Sequence, residues 1–96
     1  MPWYLYLLRC GDGTLYTGIS NDVARRLQAH RRGRGARYLK GRCPLVLARK
    51  VRVGSRGDAL RVERKVKRMK QELKEKLIKG KIRVKDLLRQ TLDVRR

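Results

Sequence analysis

Few side chains in this 96-residue chain are equipped for chemistry, because acids are scarce and histidine occurs once. Asp12 falls in a turn, and Asp22 and Asp58 fall at helix starts. Glu72, Glu75, Asp86 and Asp93 lie in charge-mixed stretches. Glu63 differs, because Ala59, Val62 and Val66 put it on the border of a helix face that must pack on something. A carboxylate there is costly unless it is paired or ligating. Two roles are open: an i,i+4 ion pair with Lys67, or a ligand to a divalent cation completed by waters and a substrate phosphate. Arg26 and His30 share one side of an earlier helix, just after a strand ending Tyr16-Thr17-Gly18. Tyrosine, arginine, histidine and one carboxylate together are the groups that phosphodiester hydrolysis requires. A cation stabilises developing phosphorane charge, a metal polarises an oxygen, and a base takes a proton from water. Tyrosine is a poor base at its ordinary pKa of about 10, but nearby Arg and Lys are expected to lower it.

Charge narrows the partner. Lys and Arg number 28 against 8 acids, a formal charge of +20. Self-repulsion on that scale opposes compactness and suits a polyanionic partner. Nucleic acid fits first. An anionic membrane surface fits less well, because no apolar run approaches the ~18–20 residues of a spanning helix. MPWYLYLLRCGDG lacks the basic start and the apolar length of a secretory signal, so a soluble, cytoplasmic protein is expected. Cys10 and Cys43 make no disulfide framework. With His30 they also fall short of four structural-zinc ligands.

The elements that must position these groups follow from pattern. Trp3–Arg9 is apolar on both faces, as in a central strand. Gly11-Asp12-Gly13 is a turn, and Thr14–Ile19 completes a hairpin. Ser20-Asn21-Asp22 offers N-cap chemistry to a helix over Val23–His30 whose inner face is Val23, Leu27 and His30. Arg31–Arg42 is a basic, glycine-punctuated loop, and Pro44–Val53 is a third strand. Ser55 caps a helix that carries Ala59, Val62, Val66, Met69 and Leu73 and runs, continuous or kinked, toward Gly80. Ile82–Val94 is a last amphipathic helix. The order β-β-α-β-α-α predicts an α+β domain on a three-stranded antiparallel sheet, with residues 1–80 as the core domain and 81–96 as a basic helix and tail packed on it or extending it.

On these residues the chain resembles the GIY-YIG nuclease superfamily. Tyr4-Leu5-Tyr6 and Tyr16-Thr17-Gly18 stand where its two strand motifs stand, reading YLY and YTG. Arg26 and His30 follow on the next helix, and Glu63 on a later one. WYLYLLRCGDGTLYTGISNDVARRLQAH, GARYLKGRCP and ALRVERKVKRMK resemble its small single-domain bacterial and archaeal branch, of UPF0213 type. The resemblance covers roughly residues 3–78. It implies divalent-metal-dependent cleavage of a DNA phosphodiester. Tyr6 and Tyr16 would face the scissile phosphate, one acting as or positioning the base. Arg26 would bind the phosphate, His30 would hydrogen-bond near the nucleophile, and Glu63 would hold one Mg²⁺ or Mn²⁺. In some relatives a lysine follows the second motif's glycine, whereas Ile19-Ser20 follow Gly18 here.

Substrate binding falls to the loop RRGRGARYLKGR. Arg31, Arg34, Arg37 and Lys40 can follow a phosphate backbone, and Tyr38 can stack on a base. No dedicated element for reading base edges in a groove is visible. Single-stranded or branched DNA cut with weak sequence selectivity is therefore expected, without a small-molecule cofactor. The competing reading is a non-catalytic basic module that coats nucleic acid.

Overall fold

The computed structural model describes residues 1–93. Three antiparallel strands form one sheet in the order β2-β1-β3: β1 Trp3–Arg9, β2 Leu15–Ser20 and β3 Val46–Gly54. Helix α1 spans Val23–Arg31, α2 Arg56–Lys67, α3 Gln71–Ile78 and α4 Val84–Asp93. The central position of β1 explains its apolar run. Leu5, Tyr6, Leu7 and Leu8 are all buried, because each face of the middle strand is covered.

Alternation along β1 divides the core in two. Leu5 and Leu7 point into an aliphatic cluster with Val62, Val66, Leu77, Val84 and Leu87. Tyr6 and Leu8 point the other way, into a cluster with Cys10, Val23, Leu27, Leu39 and Leu45. Register sets which side chains meet across β1 and β2: Tyr6 opposes Gly18, and Leu8 opposes Tyr16. Asp22 caps α1 by accepting from the Arg25 amide, and Ser55 caps α2 by accepting from the Asp58 amide. Both helices therefore start where side-chain oxygens can satisfy free N–H groups.

The stretch that the sequence leaves continuous or kinked toward Gly80 is two helices. The α2 hydrogen-bond ladder closes at Arg68 and Met69, whose amides donate to Lys65 and Val66, and α3 begins at Gln71. No glycine or proline marks the break. Beyond it a tertiary tie holds α3 to the sheet: Arg9 on β1 bonds Glu75 on α3 with two hydrogen bonds of 2.7 Å. Met69 meanwhile packs on the aliphatic cluster. Pairing and burial outweigh a propensity difference of tenths of a kcal/mol per residue. The basic loop also holds a short 3-10 turn, Arg37–Leu39, which buries Leu39. Helix α4 seats Val84 and Leu87 in the aliphatic cluster. Val94, which the sequence places in the last helix, lies outside the described residues.

Candidate active site

Tyr6 and His30 meet in the buried face between sheet and α1. The Tyr6 hydroxyl lies 2.8 Å from His30 Nε2. His30 Nδ1 accepts from the Ala36 amide at 3.1 Å. An amide N–H can only donate, so Nδ1 carries no proton and the neutral ring is protonated at Nε2. His30 therefore donates to the Tyr6 oxygen rather than taking its proton. Burial, helped by the charge of Arg26, holds the His30 pKa below its ordinary value and keeps the ring neutral. The Tyr6 proton is left to point elsewhere.

Two glycines make this packing possible. A Cβ on Gly18 would lie 2.5 Å from the Tyr6 ring carbon Cζ and its hydroxyl, so the second motif's glycine is the space the first motif's tyrosine occupies. A Cβ on Gly35 would lie 1.9 Å from His30 Nδ1. The loop backbone can approach close enough for the Ala36 amide to bond only because residue 35 has no side chain.

Tyr16 completes an aromatic cluster. Its ring centroid lies 6.4 Å from that of Tyr6 and 5.5 Å from that of His30. The expectation that neighbouring cations lower the Tyr6 pKa is overturned. Burial pushes it up to about 12, Tyr16 and Glu63 add to the rise, and the hydrogen bond and charge of Arg26 oppose it without winning. Only 1% of Tyr6 is exposed, and the desolvation cost of a buried phenolate exceeds what one exposed guanidinium returns. Tyr6 is therefore protonated at rest.

Glu63 sits on α2 with its carboxylate 3.5 Å from Lys67 Nζ. The i,i+4 ion pair is present, and the same carboxylate is close enough to Tyr6 for its charge to be felt there. Among the described residues no three His, Cys, Asp or Glu side chains cluster as a metal cage. The donor set thus fits only a cation of the magnesium type, held by one carboxylate with waters and substrate oxygens.

The loop residues divide. Arg31 turns inward and donates to the Leu45 carbonyl at 3.0 and 3.3 Å, so it anchors the loop. Arg34, Arg37 and Lys40 are exposed. Tyr38 is 46% exposed, stacked on Tyr16 at 6.0 Å, with the Arg42 guanidinium 4.0 Å above its ring. Arg42 also donates to the Tyr38 carbonyl and pairs with Asp12, tying the loop to the β1–β2 turn. Sequence reasoning missed Arg42, Gly35 and the Ala36 amide. A backbone donor leaves no mark in side-chain composition, and Arg42 is indistinguishable by type from the chain's other cations.

The chain is similar to known proteins over most of its length. The family model described as GIY-YIG catalytic domain matches residues 2–78. A UPF0213 protein of Nitratidesulfovibrio vulgaris is 54% identical over 69% of this chain and 60% of its own length. One of Cronobacter sakazakii is 48% identical over 83% of this chain and 84% of its own. The solution NMR structure of a UPF0213 protein from Bacillus halodurans superposes with a TM-score of 0.55 at 41% identity, covering 84% of this chain and 86% of that one. With the tyrosine pair, the glycine that receives Tyr6 and a family match over most of its length, the chain belongs to the GIY-YIG catalytic-domain family, a family of nuclease domains.

Proposed function

We propose that the protein is a divalent-metal-dependent DNA endonuclease that hydrolyses phosphodiester bonds in single-stranded or branched DNA with weak sequence selectivity. It would work in the cytoplasm, with residues 1–80 as its nuclease domain and 81–96 as a basic extension. The observation that carries the reading is the buried Tyr6–His30 hydrogen bond, with its tautomer fixed by the Ala36 amide. A module that only coats nucleic acid has no use for a desolvated phenol held by a histidine of defined protonation.

In this reading Arg26 neutralises the phosphate and the charge that grows on it. His30 donates to the Tyr6 oxygen and so favours its phenolate over its phenol. The Tyr6 proton, pointing away from His30, would pass to solvent when the cation binds; the phenolate would then take the proton of the attacking water as its oxygen bonds to phosphorus and the leaving oxygen departs to be protonated by solvent, while Tyr16 orients the same region. A Mg²⁺ or Mn²⁺ held by Glu63 would polarise a phosphoryl oxygen and offset the carboxylate charge that helps hold Tyr6 protonated. Arg34, Arg37, Lys40 and Tyr38 track the strand.

The Glu63–Lys67 pair favours one competing reading, a non-catalytic nucleic-acid-binding module in which that carboxylate is purely structural. Labelled single-stranded, branched and duplex DNA incubated with Mg²⁺, Mn²⁺ or EDTA separates the two. Cleavage restricted to the metal lanes is expected. A mobility shift with intact DNA under every condition would overturn the catalytic reading. Glu63→Gln should lower the metal-dependent rate by about 10²-fold or more while DNA affinity stays within a few-fold, because the basic surface is untouched.

A further inference from the structure

A cleft of about 380 Å³ opens at the free edge of β2, lined by Leu15, Tyr16, Thr17, Tyr38, Lys67 and Lys74. Its size is in the range of small-ligand sites. Two features set it apart from the rest of this basic surface. The first is its aromatic wall. The rings of Tyr16 and Tyr38 are inclined by only 27° with centroids 6.0 Å apart, which is an offset arrangement. Tyr38 keeps much of its surface open, yet it does not swing free, because Arg42 stands over the ring and bonds its carbonyl.

The second feature is charge. Lys67 and Lys74 arrive from two helices that the break at Arg68–Lys70 sets apart.

A second cleft provides the contrast. Near the start of α4, Arg49, Arg83 and Lys85 border a space of about 390 Å³. It matches the first in size and sign of charge, but its lining includes no aromatic ring.

We infer that the β2-edge cleft is a nucleotide subsite that takes one unpaired nucleotide next to the phosphodiester presented to Tyr6 and Arg26. The base lies against Tyr38 and Tyr16, and Lys67 and Lys74 take its phosphates. The inference rests on the nuclease reading for what lies next door, and it supplies the reason for a single-strand preference. A base paired in a duplex cannot turn its face to the wall, whereas an unpaired one stacks with any of the four identities.

The test is binding without catalysis. Anisotropy of a labelled oligothymidylate and of a labelled blunt duplex of matched length is measured in EDTA. Tyr38→Ala should weaken oligothymidylate binding by roughly 5- to 100-fold and leave the duplex within about two-fold, while Tyr38→Phe keeps both. Lys74→Gln should lower the salt slope of single-strand binding by about 0.7, and it keeps the test alive if Tyr38→Ala fails to fold. Arg83→Ala, at the second cleft, should not discriminate between the two DNAs. Equal losses on both DNAs from Tyr38→Ala, or an unchanged salt slope of single-strand binding in Lys74→Gln, would overturn the subsite. Selective binding by a protein that never cuts would sink the nuclease reading and spare the subsite. Cutting with no selective loss in Tyr38→Ala would do the reverse.

Discussion

The two faces of β1 are built from different materials. Toward α2, α3 and α4 the strand offers Leu5 and Leu7 to an entirely aliphatic cluster. Toward α1 it offers Tyr6 and Leu8 to a cluster that includes a buried histidine, a second tyrosine at its margin and a hydrogen bond from the loop backbone. Aliphatic packing is non-directional and tolerates small rearrangement. The Tyr6–His30–Ala36 chain is directional, and each link fails if one atom is displaced. One side of the sheet therefore stabilises and the other arranges, although residues one apart in sequence serve both.

Leu7→Ala gives the largest expected effect on the stabilising side. Leu7 is wholly buried, and removing its methyl groups should cost about 2–5 kcal/mol, read as a lower denaturation midpoint. The protein that remains folded should turn over normally. A large loss of turnover with little loss of stability would break the division.

Tyr6→Phe tests the other side. Ring volume and strand preference persist, and the hydroxyl goes. The expected outcome is a fall in cleavage rate of about 10²-fold with a melting temperature within a few degrees of the parent. Tyr4→Phe is the control, because Tyr4 pairs with Ser20 and Arg52 at the far end of the strand. An inactive Tyr4→Phe beside an active Tyr6→Phe would move the reacting tyrosine by one pleat.

Arg31→Ala sharpens the boundary between anchoring and binding. Its guanidinium is held by the Leu45 carbonyl, so its loss should lower stability by about 1 kcal/mol with little change in turnover. Arg26→Ala should do the opposite. Matching profiles from the two variants would remove the distinction.

The smallest effect is the dependence of stability on pH. His30 has a folded pKa below its unfolded value, so the unfolded chain takes up the proton first. Its contribution is complete above the unfolded value of about 6.5 and is lost as pH falls through the folded value. One proton limits the slope to about 1.4 kcal/mol per pH unit. Thermal melts between pH 7 and 5 should decline gently, and His30→Gln should flatten the decline. An equal decline in that variant would mean that the folded pKa of His30 is not depressed.

Much of this organisation was legible in the sequence. The hairpin, both N-caps and the inner face Val23–Leu27–His30 rest on short-range rules, and the structure follows them. The sequence posed a kink between α2 and α3 without placing it, because no glycine or proline marks Arg68–Lys70 and the pair that ties α3 to the sheet joins residues 9 and 75 across the molecule. The direction of the Tyr6 pKa was not legible. Counting nearby cations anticipates a fall, and only the packing of α1 and the loop shows that burial prevails. Glu63 was read as either paired or facing a site. It is paired with Lys67 and also within electrostatic reach of Tyr6, so pattern posed the alternatives without revealing that they coexist.

The fit of the Tyr6 ring over Gly18 also bears on how such a sequence can drift. While the tyrosine is present, any side chain at position 18 collides with it, so glycine there is enforced by sterics alone. Should the tyrosine be replaced by something smaller, that enforcement ends, and position 18 is free to acquire a methyl group. From then on the tyrosine cannot return without a second change. The pair therefore works as a ratchet: descendants either keep both residues or lose the way back, and a lineage that abandons the tyrosine leaves a non-glycine at position 18 as the trace of its departure.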